Sequence, residues 1–189
     1  GLAKAVVAGM VDGHVVDQRF PLEENCEVRI LTAKDPESLP VLRHSAAHLM
    51  AMAVKRIRPE AQLGFGPAVE DGFFYDFDVE EPFSTDDLEE IEKEMARLAA
   101  EKIPYDRYEV SREEAARILD GMGEDLKVEH VNDIPEDELS FYRNGDFQDL
   151  CEGPHVRTTG EIAAVKLQKT SSAYWKGDAS NRPLSRIYG

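Results

Sequence analysis

The chain has 189 residues, 42% of them hydrophobic, with 38 acidic against 22 basic side chains and a formal net charge of −16. That length suits one full domain and a small additional piece, and the acidic balance argues against broad phosphate-gripping of nucleic acid. No stretch is apolar enough to span a membrane and the N-terminus has no signal-peptide pattern; Cys26 and Cys151 make no disulfide framework, so a cytoplasmic location is expected. The basic residues are uneven: Arg157, Lys166, Lys169, Lys176, Arg182 and Arg186 outnumber Glu161 and Asp178 after residue 156, so any nucleic-acid contact is expected there.

Residues 1–34 read as a first unit. Ala5–Val11 and His14–Val16 are strand-like around Asp12-Gly13, a hairpin signal, and Cys26–Leu31 alternates as a third strand. Three strands cannot bury a core of their own, so this looks like part of a small sheet module, joined by the linker Thr32–Pro36 to a second domain over 35–189.

Leu39–Pro59 reads as one helix. Pro40 suits its first turn and Pro59 ends it. Leu42, Ala46, Leu49, Ala53 and Ile57 form an apolar stripe, and most other positions are also apolar, which predicts a buried helix. His44 and His48, four apart, share a face nearly opposite Leu42 and Leu49. Gln62–Pro67, a turn at Glu70–Gly72 and a strand over Phe73–Val79 predict a hairpin whose glycines allow close backbone approach. No Lys-Ser/Thr follows them as a phosphate loop requires.

Ser84, with Asp87 three on, starts a second helix with Leu88, Ile91, Met95 and Leu98 inward and Glu89, Glu90, Glu92 and Glu94 in solvent. Pro104 ends it. Tyr105–Val110 reads as a strand, and Ser111 with Glu114 caps a third helix that Gly121 terminates. Asp125–Val131 alternates as a strand carrying Lys127, Ile134–Leu139 reads as an acidic turn or short helical segment, and Asp146–Leu150 as a strand leading into Cys151. Ile162–Thr170 and Ala173–Trp175 complete the strands. The class is α+β, a mixed or antiparallel sheet packed with helices.

His44-xxx-His48 and Cys151-xxx-His155 together supply three imidazoles and a thiol. By residue type that is a complete tetrahedral zinc set. The same groups also suit a metal-free hydrolytic pocket, with a nearby Lys or Asp positioning a water. Gly153-Pro154 predicts a tight turn presenting Cys151 and His155 to one point, and Asp149 is two residues before Cys151 on a strand end.

The stretches Gly1–Ala5, Arg43–Leu49, Gly66-Pro67 with Gly72–Asp76, Asp149–Val156, Ala173–Asp178 and Arg186–Gly189 resemble, in order and spacing, the N-terminal region of bacterial threonyl-tRNA synthetases. The resemblance implies an incomplete β-grasp (ubiquitin-like) TGS module over 1–34. Over 35–189 it implies an editing domain that hydrolyses serine mischarged onto threonine tRNA, without the ATP-using aminoacylation core. It implies catalytic roles for His44, Lys127, His48 and Asp149, substrate binding by Tyr75, Cys151 and His155, and no required cofactor. Zinc, if present, would take His44, His48, Cys151 and His155. Alanyl-type editing domains share both motifs and bind zinc, but they usually have Cys-Gly-Gly-Thr-His where this chain has Cys151-Glu-Gly-Pro-His155, and they lack the TGS module. The partners implied are seryl-charged threonine tRNA and the rest of a synthetase chain, homodimeric at full length.

Overall fold

A computed structural model describes residues 5–189, so most of the Gly1–Ala5 stretch lies outside the described residues. The first unit is an antiparallel sheet of β1 (Val6–Val11), β2 (His14–Val16) and β3 (Val28–Thr32), in the order β2-β1-β3. Asp12 and Gly13 both take positive φ, 47° and 84°, as a tight two-residue hairpin requires. The unit does not stand alone: Val7, Ala8 and Leu31 join the main core against α1 (Ser38–Ile57).

α1 is the centre of the molecule. From Ser45 to Val54 every residue is buried, including Leu49 and Met50, because neighbours cover it all round. On one side lies α2 (Thr85–Glu101); on others lie β1 and the short strands β5 (Ala68–Val69) and β6 (Gly72–Asp78). Burying a side chain such as Leu49 stabilises the fold by about 1.5–3 kcal/mol. Ala46, Ala47, Ala51 and Ala53 are the small positions that let these neighbours approach.

β6 alternates, sending Phe73, Tyr75 and Phe77 into the core, and pairs with β4 (Gln62–Leu63), β5 and β11 (Pro183–Tyr188). β10 (Lys169–Tyr174) covers the outer edge of β11. A third sheet, in the order β7-β8-β9, is formed by β7 (Asp106–Ser111), β8 (Glu138–Asn144) and β9 (Phe147–Leu150). Its Leu139 and Phe141 pack on Ala115 and Leu119 of α3 (Arg112–Met122) and Val131 of α4 (Asp125–Val131). All pairings are antiparallel, and with these four helices the described residues form the expected α+β fold.

Ser84 caps α2 in a reciprocal capping box with Asp87, and the Ser111 side chain accepts the Glu114 N–H. Other expectations are corrected. Asp125–Val131 is helix, not strand: a strand would put Glu129 on the same face as buried Lys127 and Val131, whereas the helix buries Leu126, Lys127 and Val131 and leaves Glu129 exposed. α3 runs through Gly121 and ends at Gly123, whose φ of 73° suits the left-handed cap. Residues 162–168 are not strand. Ile162 and Leu167 are buried in the core, and the Leu167 N–H donates to Glu92 on α2, so this run is anchored to a helix instead of a sheet edge. Trp175 leaves the strand in a single 3-10 turn. Glu94 is buried, held by Arg56 and Arg97.

Candidate active site

Four segments converge on one cavity of about 1010 Å³. α1 supplies His44 and His48, β6 supplies Tyr75, α4 supplies Lys127, and the end of β9 supplies Asp149 and Cys151; all six line it. His155 does not line this cavity. It lies behind Cys151, on the wall of a second cavity of about 500 Å³.

Each side chain is held by its neighbours. Tyr75 stacks on Phe77, 4.9 Å between centroids, and its ring passes so close to Gly66 that a Cβ there would sit 2.1 Å away. This is the close approach that the glycine-rich stretch predicted. The Tyr75 hydroxyl donates to Asp149 Oδ2 at 2.5 Å. Lys127 Nζ lies 2.9 Å from Asp149 Oδ1, both side chains only 5% exposed. That contact is an ion pair without hydrogen-bond alignment, and Oδ1 accepts no hydrogen bond among the described residues. The start of α4 is fixed by fully buried Glu124, which accepts from Lys55 Nζ at 2.8 Å and from the Leu63 N–H at 2.6 Å.

The Cys151–His155 loop closes as the turn predicted. Gly153 has φ 75°, and a Cβ there would lie 2.0 Å from the Tyr142 hydroxyl. Cys151 Sγ lies 3.2 Å from His155 Nε2 and 3.4 Å from His44 Nε2. Ser45, between the two helix histidines in sequence, ties the loop to α1: its Oγ meets His155 Nδ1 at 3.1 Å and accepts the Val156 N–H at 3.0 Å. Tyr105 stacks on His155 and donates to the Ser45 carbonyl. Sequence reasoning missed Ser45, Tyr105, Tyr142 and Asp17. Ser45 alone had a signal, as a small polar residue within an apolar helix.

Burial sets the protonation states. It lowers the His44 pKa against the pull of Asp149, lowers His48 to about 4, and takes His155 well below the usual imidazole range, where His48 and His44 push further the same way. All three rings are neutral near pH 7. Burial, helped by Asp149, pushes the Cys151 thiol up to about 12, so it is no thiolate nucleophile at neutral pH. Burial and Asp149 also keep Tyr75 protonated, as a donor. The deep end of the cavity therefore offers neutral imidazoles, a neutral thiol and one ammonium–carboxylate pair. Buried His48 Nε2, like Asp149 Oδ1, has no hydrogen-bond partner among the described residues.

Of the four possible zinc ligands, His44, Cys151 and His155 bring donor atoms within 4.8 Å of one another; His48 stands outside the group. Two nitrogens and a sulfur at this spacing fit a three-ligand site with an open position.

The basic C-terminal stretch is largely neutralised. Arg157, Lys166, Lys176, Arg182 and Arg186 pair with Glu161, Glu92, Glu129 and Asp133, Asp78, and Asp76 respectively. Lys169 is instead seated over the Tyr188 ring. No helix among the described residues is long and apolar enough to cross a membrane.

Residues 139–188 match the family described as the threonyl and alanyl tRNA synthetase second additional domain. That span begins on β8 and contains Asp149, Cys151 and His155. The whole chain aligns with threonine–tRNA ligases from Marinobacter nauticus at 50% identity, Pelobacter propionicus at 51% and Hahella chejuensis at 52%, covering 100% of this chain. It spans about 30% of the length of those relatives. From end to end, the chain corresponds to a segment of bacterial threonine–tRNA ligases that carries the second additional domain shared with alanyl-tRNA synthetases.

Proposed function

We propose that the cavity is a post-transfer editing site that hydrolyses the ester of serine mischarged onto threonine tRNA. The observation that carries this reading is a pair of buried polar atoms, Asp149 Oδ1 and His48 Nε2, that make no hydrogen bond among the described residues, in a cavity that also holds a neutral His44 and Lys127, the ion-pair partner of Asp149. Leaving a buried polar atom without a hydrogen bond is costly. A substrate bearing an ammonium and a hydroxyl beside its ester would satisfy both. At about 1010 Å³ the cavity exceeds what a seryl group needs and leaves room for the attached nucleoside.

His44 would orient and deprotonate the attacking water, and Lys127 would stabilise the oxyanion that forms on the carbonyl. Collapse of that intermediate breaks the acyl carbon–oxygen bond. The ribose oxygen takes the proton that His44 removed from the water, and free serine and uncharged tRNA leave. His48 and Asp149 would hold the serine ammonium and hydroxyl; Tyr75 and Cys151 would shape the wall, with His155 supporting Cys151 from behind. The need for such a site is physical: a synthetic pocket rejects a ligand lacking one methyl group by only about 10–200-fold. An editing site can reverse the test by crowding the extra methyl of threonine.

In this reading residues 1–34 belong to a TGS module and 35–189 form the editing domain, with no ATP site in this segment. The editing domain works with the rest of the synthetase, homodimeric at full length, on threonine tRNA in the cytoplasm. No metal is required. The gathered donors of His44, Cys151 and His155 favour the second reading, a zinc-dependent site of the alanyl type or a non-catalytic zinc module. The test is to incubate the protein at high concentration with serine-charged threonine tRNA and follow free serine. Release above the uncatalysed rate is expected, and its absence would remove the assignment.

A further inference from the structure

Building on the editing assignment, we propose that Asp17, from the N-terminal sheet unit, is a positioning residue of the pocket that holds the Cys151–His155 loop in register from outside. Asp17 follows β2 directly and lies nowhere on the substrate cavity; with Tyr142 and His155 it lines the second one. Its Oδ1 accepts the His155 N–H at 2.7 Å and its Oδ2 accepts the Tyr142 hydroxyl at 2.5 Å. One carboxylate thus fixes both the loop backbone and the ring that bounds the loop.

The loop depends on such ties because it has left the sheet. The Cys151 N–H still donates to the Ser140 carbonyl, but the N–H groups of Gly153, His155 and Val156 go to side chains: Cys151 Sγ, Asp17 and Ser45 Oγ. Of these three acceptors only the Asp17 carboxylate is charged, which makes its hydrogen bond the strong one. Tyr142 stands edge-on to His155 at 4.5 Å, and its hydroxyl occupies the space a Cβ at Gly153 would need. Tyr142 is also the register partner of Asp149 across β8 and β9. Releasing Asp17 would loosen His155, then Cys151 Sγ, which His155 Nε2 contacts at 3.2 Å, and the cavity wall with it. The N-terminal unit, which places no catalytic group in the cavity, would in this way set the cavity's geometry.

The test compares wild type with Asp17→Ala, Asp17→Asn and, as a control on the same segment, Arg19→Ala, whose guanidinium makes an exposed pair with Asp106. Three quantities are read: kcat and KM for the seryl ester, the melting curve, and the rate of Cys151 alkylation by iodoacetamide, resolved from Cys26 by peptide mass spectrometry. Asp17→Ala is expected to lower kcat about ten- to a hundredfold with KM little changed, at a temperature where the melting curve shows it folded. Cys151 alkylation should accelerate at least about tenfold as the loop opens locally. Asp17→Asn keeps one acceptor for the His155 N–H and should recover much of both effects; Arg19→Ala should alter neither. Normal kcat and a normal Cys151 alkylation rate in folded Asp17→Ala would overturn the proposal. If Asp17→Ala does not fold, Tyr142→Phe, which removes one of the two bonds, is read by the same criteria. If the wild type cleaves no ester, the editing assignment fails, and alkylation still decides this one: an unchanged rate overturns the positioning role by itself.

Discussion

Replacing Asp149 by Asn leaves the Lys127 ammonium buried without its counter-charge. Both side chains are 5% exposed and 2.9 Å apart, so solvent cannot take over the lost partner. Breaking such a pair from one side costs about 3–5 kcal/mol. For a chain of this size that range corresponds to a fall in Tm of about 6–20 °C. Lys127→Met should destabilise similarly by stranding the carboxylate. The double variant, Lys127→Met with Asp149→Asn, removes both charges and keeps an oxygen for the Tyr75 hydroxyl, which now donates to Asp149. It should be more stable than either single variant, yet remain inactive. Urea unfolding and ester hydrolysis measured on the same samples give both quantities. If Asp149→Asn unfolds within about 0.5 kcal/mol of wild type, or if the two single effects simply add, the pair does not act as argued.

Other outcomes follow from the same geometry. His44→Ala should cut seryl-ester hydrolysis by about 10²–10⁴-fold while leaving the denaturation midpoint nearly unchanged; a variant that unfolds early but cleaves normally while folded would make His44 structural. Stability should fall on acidification. The unfolded chain protonates His48 near pH 6.5 and the folded chain only near 4, so this contribution is complete above about pH 6.5 and lost between there and about 4. It amounts to about 3 kcal/mol, His155 acts in the same direction, and His48→Gln should flatten the slope of unfolding free energy against pH. Treatment with a strong chelator should leave both hydrolysis and the melting curve intact; loss of both together would assign His44, Cys151 and His155 to a metal.

Much of the architecture was legible where one periodicity dominated. The helix bearing His44 and His48 is apolar on nearly every side, and Asp12-Gly13 allowed only a tight hairpin. Asp125–Val131 failed because seven residues satisfied both a strand and a helix pattern, and only the environment of Glu129, exposed and paired with Lys176, decides between them. β11 went unseen because Pro183 opens it and its partners, β6 and β10, include one more than a hundred residues away in sequence. At the site, residue types could be read from the motifs, because His, Cys, Asp and Lys are few in apolar surroundings. What orients them could not. Tyr105, Tyr142 and Asp17 act through tertiary contacts that leave no local pattern, and Ser45 showed only as a small polar residue in an apolar helix.

The most direct test of the central claim is the ratio of first-order hydrolysis rates for serine and threonine attached to threonine tRNA, at matched protein concentration. A cavity that admits the hydroxymethyl group and crowds one more methyl should favour the seryl ester by about 10–200-fold. Equal rates, or faster release of threonine, would show that this cavity is not the sieve proposed here.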